Sequence, residues 1–212
     1  MKNIFKIAIV AFSITFIGCE EPETEVIAFK PVVYKEVFNT SANDFQEEDA
    51  YLNYNGWTSF VEAGSIEWTE QDDDDNGYLQ FSTFGLPGGA SNIAWAITPK
   101  INLDNSANEI LNFKSGRGFA NNVNNKMEVY ISTDFDGTNV LAATWTMLNG
   151  NIASANNATG VGNGVMTTDS GDIDLSSYSG DVYLGFKAYG SSSLTGAMRF
   201  DEVKIYDKTL KQ

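Results

Sequence analysis

The sequence has 212 residues, with 13 basic and 28 acidic side chains, a formal net charge of −15, one cysteine and no histidine. The missing histidine excludes Ser-His-Asp and Cys-His catalysis and removes the commonest zinc ligand, while paired-carboxylate chemistry stays open. The acidic balance argues against nucleic acid or anionic lipid as partners, and a single cysteine excludes intrachain disulfides.

The chain opens with Lys2 and Lys6 ahead of an apolar run, Ile7 to Ile17, that is too short to span a bilayer as a helix. Gly18-Cys19 closes the run. This is the pattern of a lipoprotein signal peptide over residues 1–18, with Cys19 as the acylated anchor. The usual leucine three positions before the cysteine is replaced by Phe16. A lone cysteine in an exported chain needs a reason, and acylation supplies one. Removing Lys2 and Lys6 from the 13 basic residues leaves 11 against 28 acidic ones, a formal net charge of −17 for the chain from Cys19 onward. Residues 19–30 then form the lipidated cysteine and an acidic tether, Glu20 to Glu25 being its charged core. Acidic residues directly after such a cysteine resemble a surface-export signal, so the expected location is the outer membrane, lipid-anchored and facing the cell surface. Residues 31–207 suit a single domain.

Beyond the tether, short apolar-patterned runs alternate with Gly, Asn, Asp and Ser turns, which predicts an all-β sandwich. The expected strands, in order, are Val32–Phe38, Tyr78–Phe84, Ile93–Thr98, Ile110–Lys114, Lys126–Thr133, Ala143–Leu148, Asp181–Tyr189 and Met198–Tyr206. In the fifth, Met127, Val129 and Ile131 share one face, and in the seventh Val182, Leu184, Phe186 and Ala188 do so. That period of two belongs to a half-buried strand. Apolar residues on both faces of Ile93–Ile97 predict a strand buried between layers. Pro99 marks its end. Ser115-Gly116-Arg117-Gly118 reads as a tight polar turn, and residues 149–164 read as a long Asn-rich loop.

Several segments stand in a familiar order: Glu36-Val37-Phe38, Gly56-Trp57-Thr58, Trp68, the run from Trp95 to Leu103 (WAITPKINL), the run from Glu128 to Gly137, and the closing Phe200-Asp201-Glu202-Val203-Lys204-Ile205. This order resembles the choice-of-anchor J domain, related to the cleaved adhesin domains of gingipains and haemagglutinins, over roughly residues 32–206. The resemblance implies a jelly-roll β-sandwich of two antiparallel sheets, an extracellular location, binding rather than catalysis, and structural calcium in many members. The acidic loop that binds calcium in gingipains is here Ser59 to Gly64, which holds one carboxylate, Glu62.

Candidate cation ligands lie elsewhere. Asp72, Asp73, Asp74 and Asp75 are the densest oxygen cluster, and hard cations need several such oxygens; the same run also suits an exposed acidic turn. Asp134-Phe135-Asp136-Gly137 has the start of a calcium loop without its closing glutamate, and reads better as a hairpin turn. Glu36 and Asp201, on the first and last strands, are the favoured pair for a structural calcium ion, because strand-borne ligands are better positioned in advance than an acidic turn. Of the four tryptophans, Trp95 and Trp145 fall inside strands and read as core, whereas Trp57 and Trp68 lie near loops and read as a stacking platform for sugar rings.

The expectation is a non-catalytic, lipid-anchored envelope binding module for surface adhesion or glycan binding, with a glycan or a host or matrix surface protein as partner. The alternatives are a carboxylate-dependent polysaccharide-active enzyme on a jelly-roll scaffold, or a structural envelope protein without a small ligand. A fold does not itself imply activity.

Overall fold

The computed structural model describes residues 32–38, 48–73, 76–86, 91–157 and 166–208. The signal segment, Cys19, the tether, Asp74 and Asp75 lie outside the described residues.

The first strands are β1 (Val32–Glu36), β2 (Thr58–Ala63), β3 (Thr69–Asp73), β4 (Asn76–Ser82), β5 (Ser91–Ile97), β6 (Ile101–Asn102) and β7 (Glu109–Gly118). They are followed by β8 (Lys126–Ser132), β9 (Thr146–Leu148), β10 (Thr168–Asp169), β11 (Ile173–Asp174), β12 (Asp181–Ser191) and β13 (Ala197–Asp207). Among the described residues the sole helical element is one short 3-10 turn at Val140–Ala142.

The strands form two antiparallel sheets, a jelly-roll β-sandwich. The seven-stranded sheet runs β10-β7-β13-β4-β3, with β1 on β13 and β11 on β7. The six-stranded sheet runs β2-β5-β12-β8-β9, with β6 on β12. β13 is the organising strand. β7 pairs along its whole length, while its other side is shared by β4 over Ala197–Phe200 and by β1 over Val203–Tyr206. The switch falls at a register shift between Asp201 and Lys204, where Glu202 adopts φ 51°. A bulge of this kind re-aims side chains.

Two expectations about local structure change here. The run Ser115 to Gly118 is not a turn, because β7 continues through it under pairing from β13 on one side and β10 on the other. Asp72 and Asp73 belong to β3 and not to a free acidic turn, since β4 pairs with both. In each case a neighbouring strand supplies backbone partners that override weak local strand preference.

The core lies between the sheets. Phe186 of β12 stacks on Phe200 of β13, with ring centroids 3.9 Å apart and planes within 5°. Phe38, Trp57, Trp68 and Phe113 pack around this pair. A second apolar cluster lies on the outer face of the six-stranded sheet. There Trp95 and Ile97 of β5 are covered by Phe135, Val140 and Trp145 from the segment joining β8 to β9. This explains why β5 is apolar on both faces: Ala94 and Ala96 face the main core and Trp95 and Ile97 face the second cluster.

Candidate functional site: a groove on the outer face of the larger sheet

The two tryptophans expected to form a stacking platform are in the core. Trp68 is 0% exposed and Trp57 8%. Trp68 sits against Phe81 and Phe200, and Trp57 between Phe38, Phe186 and Phe200. Proximity to a turn in sequence did not place their rings outside, because each neighbouring strand aims its residue inward. Neither ring is open to a sugar.

The exposed aromatics are others. Phe84 is 75% exposed, Phe119 61% and Tyr51 65%. Phe119 follows the last residue of β7 with φ 55°. A bulky residue in the left-handed region is strained, and at this position the strained turn leaves the ring in solvent. Phe84 stands in the turn after β4, beside Gly85, which takes φ 75° where a side chain would be strained.

Between these rings the outer face of the seven-stranded sheet is sunken. Two register rows build it. Gly118 pairs with Ala197, and Ala197 with Ser82, a row of small side chains across β7, β13 and β4. The next row is Gly116, Arg199, Gln80, Thr69 and Tyr51 across β7, β13, β4, β3 and the segment before β2. One depression of about 180 Å³ is lined by Phe84, Phe119, Gly118, Gln80 and Arg199 among others. A second, of about 310 Å³, lies on the other side of Phe84 and shares Gln80 and Ser82 with the first. Tyr51, Asp49 and Glu67 line its far part.

The floor is polar and held in place. Arg199 Nε donates to Gln80 Oε1 at 2.7 Å. The Arg199 guanidinium lies 5.8 Å from the Tyr78 ring centroid, within cation–π range. Burial lowers its pKa from the ordinary arginine value, but a guanidinium stays charged at neutral pH. A Cβ on Gly118 would come within 2.5 Å of this guanidinium, so the glycine leaves room for it. Asp49 accepts a hydrogen bond from Gln71 at 2.9 Å, and Glu67 one from Ser59 at 3.2 Å. The geometry is a set of apolar ring faces over fixed hydrogen-bonding groups, the composition of a small-molecule recognition site.

The cation candidates fall on the same sheet, toward its other end. Asp201 is buried, and that burial pushes its carboxyl up to about 6. It accepts from the Glu202 backbone N–H and from Asn76 Nδ2 at 3.4 Å. Asp201, Asn76 and Gly77 line a depression of about 280 Å³, together with Lys35 and Lys204. Asp72 stands opposite Gly77 in the β3–β4 register, and its Oδ1 is buried with no hydrogen-bond partner among the described residues. Glu36 does not line that depression; its Oε1 accepts from the N–H groups of Val37 and Phe38. Among the described residues no three carboxylates gather around one point. Asp72 does not line that depression either, and on β3 it faces away from the side that Thr69, Gln80, Arg199 and Asp201 share, so the structure brings neither Glu36 nor Asp72 to Asp201. Asp134 and Asp136 accept backbone N–H groups of their own loop, which holds both carboxyls below their ordinary value, as a structural turn requires.

The outer face of the smaller sheet carries a different cluster. Lys187 pairs with Glu62 at 2.8 Å and lies 4.8 Å from the Trp95 ring centroid. Trp95 Nε1 also donates to Glu62, at 2.7 Å. Glu128 accepts from the hydroxyls of Tyr130 and Tyr189 at 2.6 and 2.8 Å and pairs with Lys126. Burial works against both ionised carboxyls, yet these partners hold Glu62 and Glu128 below the ordinary glutamate value. Neither is poised as a general acid, because an acid needs a raised pKa.

The groove residues Tyr51, Gln80, Phe84, Phe119 and Arg199 do not stand out in the sequence as a site. The available signal was an aromatic directly beside a glycine, in Gly118-Phe119 and Phe84-Gly85.

Residues 100–211 match the family described as a domain of unknown function (DUF5017). No curated protein matches the chain in sequence. Among solved structures, the K1 cleaved adhesin domain of Lys-gingipain from Porphyromonas gingivalis W83 aligns at 18% identity with a TM-score of 0.51, over 83% of this chain and 98% of that one. The K2 cleaved adhesin domain of Lys-gingipain aligns at 14% identity with a TM-score of 0.51, over 82% and 98%. A carbohydrate-binding module with specific mannan recognition aligns at 18% identity with a TM-score of 0.47, over 86% and 100%. The fold is thus shared with the gingipain adhesin domains.

Proposed function

The chain belongs to the DUF5017 family, and from that premise and the groove we propose that it is a non-catalytic glycan-binding module of the cell envelope, tethered by lipid at Cys19. The observation that carries this reading is the groove itself, with Phe84, Phe119 and Tyr51 exposed around Arg199, Gln80 and Ser82. Sugar rings present C–H faces that stack on aromatic rings, and their hydroxyls pair with amide, guanidinium and hydroxyl groups. The adhesin-like fold and the resemblance to choice-of-anchor J domains support a binding role at the outer-membrane surface.

The test is a glycan array probed with the full chain in detergent. At least one glycan is retained by wild type and lost from a Phe84→Ala/Phe119→Ala variant whose melting temperature is unchanged. A blank array, or retention that ignores both substitutions, overturns the reading. A captured host or matrix protein in place of any glycan would reassign the partner.

Asp49 and Glu67 share one depression, which keeps an enzymatic reading in view. Both are engaged by Gln71 and Ser59, and the proposal holds them as floor and not as an acid–base pair. Purified protein should release no reducing sugar from bound polysaccharide; release that disappears in Asp49→Asn or Glu67→Gln would assign catalysis instead.

We further propose one structural calcium ion, with Asp201 as its principal carboxylate ligand. The supporting observation is the buried Asp201 carboxylate, which lines a depression with Asn76, Gly77 and Glu202. A cation bound only by the native state stabilises it, by about 2.7 kcal/mol at a hundredfold excess over its dissociation constant. Thermal unfolding with calcium and with chelator checks this: wild type should shift by several degrees, and Asp201→Asn should not shift.

A further inference from the structure

We infer that the groove holds an internal stretch of an extended, uncharged polysaccharide, and not a single sugar or a chain end, with Tyr51 as its far stacking ring. The inference rests on the glycan reading of the groove.

The register carries the argument. The row Gly116, Arg199, Gln80, Thr69, Tyr51 crosses five chain segments. With about 4.8 Å between neighbouring strands, that row is about 19 Å long. One pyranose ring cannot reach from Phe119 to Tyr51 across such a distance; a run of linked rings can. Phe84 stands where the two depressions meet, as a middle platform between the outer rings. Both terminal rings are exposed, so among the described residues neither end is walled off by buried side chains. A site for a chain terminus needs such a wall.

The floor also selects against charge. Asp49 and Glu67 line the Tyr51 half, and the chain as a whole carries a formal −15. A polyuronate laid along the groove would place carboxylates beside these groups. Arg199 at the other half already has Gln80 as a hydrogen-bond partner and Tyr78 as a ring neighbour. Hydroxyl-bearing, uncharged rings satisfy both halves, and a single register row crossing five chain segments favours an extended chain over a coiled one.

The experiment is calorimetric titration of the full chain in detergent with ladders of neutral β-1,4-linked gluco-, xylo- and manno-oligosaccharides of one to six rings. An end-reduced copy and an oligouronate ladder serve as controls. For at least one neutral ladder, affinity should climb with ring number, by about tenfold or more between two rings and the longest member. End reduction should leave the longest member unaffected, and the uronates should bind more weakly. Tyr51→Ala should flatten the ladder by weakening the longest member about tenfold while the two-ring sugar changes little.

A single ring binding as tightly as the longest, binding abolished by end reduction, uronates binding tighter, or a ladder unchanged by Tyr51→Ala would each overturn the inference. If all three neutral ladders fail while the array still shows Phe84- and Phe119-dependent retention, the inference falls and the glycan reading stands. If the array is blank, both fall.

Discussion

At Phe119 the backbone is held at φ 55°, a conformation that costs a non-glycine residue about 1–3 kcal/mol. Nothing in the core requires the ring, which stands in solvent at the groove rim. Phe119→Gly should therefore keep or slightly raise the melting temperature, because glycine adopts this conformation without strain. Phe119→Ala retains the strain and should not raise it. Both should weaken glycan retention. Parallel melting curves and binding isotherms check this, and a large loss of stability in the glycine variant would show that the ring serves packing. Gly118 beside it gives the converse case. Its missing Cβ leaves space for Arg199, and Gly118→Ala should displace the guanidinium from Gln80 and reduce retention with only a modest loss of stability. Trp68 is opposite in kind: Trp68→Ala should cost about 3–5 kcal/mol in denaturant unfolding, while Trp68→Phe, if folded, should keep ligand retention.

At the scale of elements, β13 divides the larger sheet into two working regions. Its first half, paired to β4 and β7, carries Ala197 and Arg199 in the groove. Around the bulge at Glu202, Asp201 just before it and Lys204 just after it line the cation depression. The smaller sheet has another task for its polar residues. Across β2, β5, β12 and β8 its outer face is bound together by Glu62, Lys187, Glu128 and the tyrosines. The folded-state pKa values of Glu62 and Glu128 lie below the ordinary glutamate value. Groups depressed in this way contribute stability that is present above the unfolded pKa and lost as pH falls through the folded one. The protein should lose stability as pH drops below about 4.5, and Glu62→Gln with Glu128→Gln should make that loss shallower. Chemical denaturation across acidic pH measures it. An unchanged slope would mean that other carboxylates dominate.

For the molecule as a whole, an acidic sandwich with two sheets and no disulfide depends on its aromatic core, and on metal where one binds. The proposed lipid anchor should be separable from folding. Cys19→Ala should move the protein to the soluble fraction, and alkyne fatty-acid labelling should be lost with it, while the melting temperature of the domain stays the same. Wild type that takes up no label would remove the lipid anchor from the proposal.

The sequence alone determined the all-β class and the rough position of the expected strands, largely because alternation at period two is a local property; of Ala143–Leu148 only Thr146–Leu148 is strand, and Trp145, expected inside it, lies just before it. Lys126–Thr133 and Asp181–Tyr189 read out as strands for that reason and match β8 and β12. The short acidic β3 and the glycine-rich end of β7 lacked that pattern and became strands only through β4, β10 and β13. The direction of each aromatic was also a tertiary decision. Trp57 and Trp68 turned inward because the facing sheet offered apolar partners, and Trp95 turned outward beneath the segment joining β8 to β9. Apart from the two aromatics beside glycines at its rim, the groove had no sequence signature, because its floor is a register row. Gly118, Ala197 and Ser82 are far apart along the chain, and only the hydrogen-bonded pairing of three strands sets small side chains side by side where a ligand can enter.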